Sequence, residues 1–227
     1  MTLDDALAQL RAAIEPGRAE GMAAYHKQTR EVLGIPNPAL NDLSTEWRHS
    51  LTVPERVDLA RALWDTDIFE ARIAAAKLLT QARIKDDEQT WILIQSWVPQ
   101  FDSWAIADHV CMAGQKRLMA NPTRVDQVED WTHSPHLWTR RAALVITLPW
   151  AKQNTPKPTD LEIRDRVLNW CARYAEDREW FIQKAIAWWL RDLSKHDADR
   201  TRAFLDRYGA QLKPFARKEA AKHLPAA

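Results

Sequence analysis

The sequence predicts an all-α fold, a right-handed, C-shaped stack of helical hairpins, and three observations carry that expectation. First, five segments share a pattern in which an aromatic residue opens an apolar helical stretch and a polar or charged residue follows three or four positions on. They read Phe69-Glu-Ala-Arg72, Trp104-Ala-Ile-Ala-Asp108, Trp138-Thr-Arg-Arg141, Phe181-Ile-Gln-Lys184 and Phe215-Ala-Arg-Lys218, with aromatics 35, 34, 43 and 34 residues apart. A period of roughly 20–50 residues marks stacked hairpins, because one hairpin cannot bury its apolar face without neighbours. Second, apolar residues recur at three- and four-residue spacing, and no stretch alternates as a strand would. Third, prolines punctuate the chain between these stretches, where a helix must end or begin.

The elements follow in order. Residues 1–50 read as an N-terminal helical cap and 54–227 as about five hairpin repeats. Leu3–Ile14 is the first helical stretch, and Leu33-Gly-Ile-Pro-Asn-Pro38 is a rigid link from an N-terminal hairpin to the next helix. Pro54 opens a helix over Arg56–Trp64, and Ile68–Arg83 and Gln89–Val98 follow. Ser103 is placed to cap the helix that starts at Trp104. Val125–Trp131 is next, Pro135 opens the helix of Trp138, and Gln153–Thr159 is a long connection that accounts for the 43-residue interval. Leu161–Tyr174, the helix of Phe181 and a last helix opened by Pro214 complete the array.

Composition excludes several classes. With 46% hydrophobic residues and only 5 glycines, the chain is expected to fold rather than remain disordered. The longest apolar run, Ala142 to Ala151, contains Pro149 and falls short of the roughly 20 residues a membrane span needs. The first residues carry acids and no basic-then-apolar leader, so a cytoplasmic protein is expected, associated with the nucleoid if it binds DNA. Cys111 and Cys171 read as reduced packing residues. The net charge of +1 hides an asymmetry: 18 basic and 11 acidic residues from His136 onward, against 14 and 20 before it. A cationic half can serve as a nucleic-acid footprint or be a solvated mixture of charges.

Stacking sets equivalent positions side by side, so Arg72, Arg141, Lys184 and Lys218 are expected to form a basic row. The second copy departs from it, with Ala107 in the row and Asp108 beside it. A carboxylate there either pairs with a nearby cation or serves chemistry that develops positive charge. Twelve tryptophans call for explanation. Trp47, Trp64, Trp91, Trp97, Trp131, Trp150, Trp170, Trp180 and Trp189 read as packing. Trp104, Trp138 and Trp188 can be core or groove; Trp188 lies four residues after Lys184 and shares its helical face. His133-Ser-Pro-His136 has metal-ligand spacing, but Pro135 breaks the helix and no further ligand completes a set, so no metal is expected. There is no phosphate loop and no nucleophile motif.

These residues together resemble the AlkD-type DNA alkylation repair proteins, DNA glycosylases built of HEAT-like helical repeats. The resemblance is carried by Phe181-Ile-Gln-Lys-Ala-Ile-Ala-Trp188-Trp-Leu-Arg191, by Trp138-Thr-Arg-Arg141-Ala-Ala, by Met22-Ala-Ala-Tyr25 followed by Leu33-Gly-Ile35, and by Arg217-Lys-Glu-Ala-Ala-Lys-His223. The family's Trp-Asp-x-Val-Asp motif falls on Trp104-Ala-Ile-Ala-Asp108, with Ala105 where the family has its first Asp; Asp102 is a candidate substitute. The resemblance implies hydrolysis of the N-glycosidic bond of cationic N3- or N7-alkylated purines in duplex DNA, with no cofactor. Asp108, Trp104, Trp188 and Arg141 are the implied catalytic set. Tyr25, Arg140, Lys184, Arg191, Arg217 and Lys218 are the implied DNA contacts, and the protein is expected to act as a monomer. Two other readings stay open: a non-catalytic repeat protein that binds distorted DNA, and a scaffold for protein partners.

Overall fold

The computed structural model describes residues 1–225, and among them all regular structure is helical. The chain forms two compact units, one of residues 1–120 and one of the described residues from Asn121 on. No helix among the described residues is long and apolar enough to cross a membrane.

The first unit holds α1 (Leu3–Ala12), α2 (Arg18–His26), α3 (Asn37–Ser50), α4 (Val53–Asp65), α5 (Phe69–Leu79), α6 (Glu88–Trp97) and α7 (Trp104–Ala120). Helix α5 packs between α3 and α7 on one layer and against α4 on the other, while α4 also meets α1 and α6. That central place is written in its composition: Ala71, Ala74, Ala75 and Ala76 are all 0% exposed, small enough to let four helices converge. Thr2 and Asp5 close a reciprocal cap at the start of α1, each backbone N–H held by the other's side chain at 2.9 and 3.1 Å. Ser103 stands before α7 as expected, and its backbone carbonyl accepts the Ala107 N–H at 3.0 Å, while its buried hydroxyl meets no hydrogen-bond partner among the described residues.

The second unit holds α8 (Val125–Trp131), α9 (Leu137–Ile146), α10 (Leu148–Ala151), α11 (Pro158–Arg173), α12 (Trp180–Leu193), α13 (Ala198–Tyr208) and α14 (Pro214–Ala220). Helix α12 packs between α9 and α14, and α11 packs on α9, α10 and α13. The long third interval is more than a loop: α10 is an extra element of about one turn that packs on α12, followed by the connection to α11. Pro38, Pro54, Pro149, Pro158 and Pro214 all sit in first turns, where a missing N–H leaves nothing unpaired.

Tryptophan accounts for much of the packing. Trp47, Trp64, Trp91, Trp97, Trp150, Trp170 and Trp189 are at most 2% exposed. Four of them hand the indole N–H to a side chain on another element: Trp47 to Gln9 at 2.7 Å, Trp64 to Gln100 at 2.9 Å, Trp150 to Asp160 at 3.0 Å and Trp170 to Glu129 at 2.9 Å. Two of the tryptophans read as packing are not core. Trp180 is 50% exposed, its ring lying 4.0 Å from Phe215, because it opens α12 at the unit's surface. Trp131, at the end of α8, is only half-buried.

Two buried arginines tie loops to helices by the same device. Arg117 donates to Asp87 at 2.9 Å and to the carbonyls of Gln81 and Ala82. Arg164 donates to the carbonyls of Trp150 and Gln153 at 2.7 and 2.6 Å and to Asp197 at 3.3 Å. Backbone carbonyls of connecting segments and of the end of α10 thereby find donors, and each guanidinium keeps a carboxylate partner. Cys111 and Cys171 are buried in separate units, and burial pushes the Cys171 thiol up.

Candidate nucleic-acid interface

In the first unit the candidate residues gather at the start of α7. Trp104 opens the helix and Asp108 follows one turn later, so both lie on one face, and both are half-buried. Between them Ala105, Ile106 and Ala107 are at most 3% exposed. Ala105, where the resemblance places an Asp, also lines a cleft beside Trp104.

The surroundings of Trp104 come from α2. The imidazole of His26 lies 5.0 Å from the Trp104 ring and 4.9 Å from Phe69, so it is interleaved between the aromatics of two adjacent repeats. Tyr25, 72% exposed, presents its edge to Trp104 at 6.1 Å. These rings and Ile35, Leu40 and Ile73 line a cleft of about 670 Å³. Burial lowers the His26 pKa against the opposing charge of Glu70.

Glu70 is the structural anchor of this region. Its carboxylate is 1% exposed and accepts the backbone N–H groups of Leu33, Gly34 and Ile35 at 2.8, 2.7 and 3.2 Å. The rigid link expected from its prolines is therefore held by a buried charge whose lone pairs are satisfied by three main-chain donors. Gly34 has φ +85°, and a Cβ there would lie 2.7 Å from the backbone nitrogen of Ala19.

The expected basic row is uneven. Arg72 is committed within its own unit: it pairs with Asp67 at 2.9 Å and stacks over Trp64 at 4.6 Å, and burial lowers its pKa. Arg30 joins the same cluster through Asp67 and Asp102, so Asp102 serves an ion pair just ahead of α7.

In the second unit, Trp138 and Phe181, the equivalent aromatics of α9 and α12, touch with ring centroids 4.7 Å apart. Arg141 is only 5% exposed; it donates to the carbonyl of Phe181 at 3.0 Å and lies over that ring at 5.7 Å. It is thus a packing cation as well as a candidate site residue. Arg140 donates to the carbonyls of Ser134 and Pro135 and pairs with Asp177 at 3.2 Å. Lys184, Arg217 and Lys218 are exposed. Trp188 is half-buried, one turn beyond Lys184, and its indole N–H is held by Asp192 at 3.0 Å. Asp192 also pairs with Lys152 at 3.4 Å and Arg191 at 3.4 Å, and Arg191 reaches Glu219 at 2.5 Å. Lys152 also lies over the Trp188 ring, 5.9 Å from its centroid, so these contacts restrain the indole.

Sequence reasoning missed His26, Glu70, His109 and Asp192. The only signal for Glu70 was its place beside the first repeat aromatic, and for Asp192 its i+4 spacing from Trp188.

The family described as DNA alkylation repair enzyme matches residues 6–224. Three solved structures share the fold. A protein of Enterococcus faecalis, described as a predicted DNA alkylation repair enzyme, is 24% identical with a TM-score of 0.77, covering 94% of this chain and 98% of its own. AlkD2 of Streptococcus mutans is 19% identical with a TM-score of 0.68, covering 99% and 100%. The smu.31 protein of Streptococcus mutans UA159 is 18% identical with a TM-score of 0.67, again covering 99% and 100%. No curated protein matches the sequence.

Proposed function

Since the chain belongs to the DNA alkylation repair enzyme family, we propose that it hydrolyses the N-glycosidic bond of cationic N3- or N7-alkylated purines in duplex DNA. The observation that carries this reading is the pair Trp104 and Asp108, four residues apart on one face of α7 and both partly open to solvent.

The chemistry suits those two groups. An alkylated purine is already positively charged and leaves readily. Water adds to the sugar C1′ as the C1′–N bond breaks, and the bond's electron pair goes to the purine, which departs neutral. Positive charge builds on the deoxyribose meanwhile, where the Asp108 carboxylate stabilises it and takes the water's proton on to solvent. The face of Trp104 stabilises the same charge through its π-system, and the Tyr25 ring against it extends that surface. In the second unit, Lys184, Arg217 and Lys218 contact backbone phosphates. Arg140, Arg141 and Arg191 contribute positive potential, and Trp188 offers a ring already restrained by Asp192.

The test is single-turnover release of N7-methylguanine from methylated duplex DNA at saturating protein, with the protein-free rate subtracted. Asp108→Asn keeps the shape and removes the charge. It is expected to cut release by roughly 10²–10³ while leaving DNA affinity equal or higher. Equal rates above the control would remove Asp108 from the mechanism. No release by either protein, with salt-dependent duplex binding intact, would make this a non-catalytic DNA-binding repeat protein.

A further inference from the structure

The partly or fully buried cations of the first unit divide into two groups. Arg30, Arg72 and Arg117 each pair with an aspartate. Arg48, Arg56 and Lys77 pair with no carboxylate among the described residues, and they lie together. Arg48 is on α3, Arg56 on α4 and Lys77 at the end of α5; burial, and after it the charge of Arg48, disfavours protonation of both of the others. Like charges left part-buried without a counter-charge are costly, and a bound anion would relieve that cost.

Lys77 and Arg48 border a cleft of about 230 Å³ between α3, α5 and α7, with Asn41, Thr45, Thr80 and His109 also on its wall. Arg48 has a structural duty here. Its Nη1 donates to the carbonyls of Lys77 and Thr80 at 3.0 and 3.3 Å, closing the end of α5, and its Nη2 donates to Thr45 at 2.9 Å. Those carbonyls offset about half a charge at the helix terminus, leaving the cluster strongly positive. Two of the guanidinium's five donors remain. Lys77 spends one donor on Asn41 at 2.5 Å and keeps two. A small concave space with four unspent charged donors on two facing helices suits a compact, oxygen-rich anion.

We infer that this cleft is a phosphate-binding site centred on Lys77 and Arg48. Two sources share that chemistry: a backbone phosphodiester of bound DNA and free phosphate. Assignment to DNA rests on the function proposed above and would extend the footprint of the first unit onto α3 and α5. The site itself does not depend on that reading.

The experiment uses the full chain with Lys77→Met, which keeps the stem and removes the charge, and Lys77→Arg, which keeps the charge. In the first arm, thermal unfolding is compared in potassium phosphate, potassium chloride and potassium glutamate at equal ionic strength. Phosphate is expected to raise the midpoint of wild type and Lys77→Arg above both other salts, and to have no such effect on Lys77→Met. In the second arm, undamaged duplex is titrated across chloride concentrations. Loss of one phosphate contact should make the plot of log K against log salt shallower by about 0.9 in Lys77→Met. A changed slope assigns the site to DNA; a phosphate-specific shift with an unchanged slope assigns it to free phosphate. An equal shift with glutamate, or no effect in either arm, would overturn the proposal. If wild type fails to bind DNA, the first arm still decides, and the failure belongs to the proposed function.

Discussion

Nδ1 of His109 lies 2.7 Å from the carbonyl oxygen of Ala105. A carbonyl only accepts, so the proton of the neutral ring sits on Nδ1. Burial lowers the pKa of this imidazole to about 4, with Lys77 and His26 adding to the effect and the Ala105 bond opposing it. In the unfolded chain the same group titrates near 6.5. Between those values the unfolded state binds more protons, so stability is full above about 6.5 and falls as the pH drops towards 4. His26 is shifted in the same direction. Urea unfolding of wild type and His109→Gln at pH 7 and pH 5 measures it. The variant is expected to lose less stability on acidification, the difference being at most on the order of 1 kcal/mol per pH unit. Parallel loss in the two proteins would show that His109 does not couple folding to pH.

Glu70→Ala removes the acceptor for three buried main-chain donors. Each orphaned group costs ~1–3 kcal/mol, so a loss of about 3 kcal/mol or more is expected, enough to threaten a domain of ordinary stability. Glu70→Gln keeps one oxygen and should fall between. Equilibrium denaturation checks the order; a Glu70→Ala protein as stable as wild type would mean the link finds other acceptors.

Gly34→Ala tests the same link by sterics. The added methyl meets the Ala19 backbone at 2.7 Å on a residue with φ +85°. A cost of about 1–3 kcal/mol is expected from the strained backbone alone. The comparison is Gly21→Ala on α2, where a Cβ meets nothing within 4 Å and helix propensity favours alanine. Destabilisation by both would point to the α2 surface rather than to the turn.

Lys184 and Arg141 separate binding from packing. Lys184→Ala removes an exposed charge and should leave the thermal midpoint nearly unchanged while weakening duplex binding alike for most sequences. Arg141→Ala also removes the bond to the Phe181 carbonyl from a 5% exposed site, so it should lower the midpoint as well. If Lys184→Ala cost stability and left DNA affinity intact, that residue would not belong to the interface.

The array of helices was legible because its signals are local. Val125–Trp131 was read to the residue, and each repeat aromatic stands first or second in a helix. Boundaries moved where distant groups intervene. Helix α5 stops at Leu79 rather than Arg83, and the carbonyls of Gln81 and Ala82 go instead to Arg117, more than thirty residues away. Helix α4 starts at Val53, earlier than its apolar spacing suggests, because Glu55 reaches back to Thr52 at 2.8 Å. At the candidate site, Trp104 and Asp108 were visible as one repeat's departure from the others. Glu70 and His26 were not, since their roles depend on backbone donors and rings 35 or more residues distant. Nor does the register show that Arg72 spends its charge on Asp67.

The indole bonds of Trp47, Trp64, Trp150 and Trp170 each end on a different partner: Gln9, Gln100, Asp160 and Glu129. Stacked hairpins are modular in shape, and one hairpin could in principle be copied, deleted or transplanted. Here each buried donor is keyed to one acceptor, as a lock is to its own bolt. A duplicated repeat would bring a tryptophan whose acceptor is already taken or absent, and a chain slipped by one helical turn would orphan several donors at once. The ladder thus acts as a proofreading device for assembly: it discriminates against wrongly registered stacks that bury as much apolar surface as the right one.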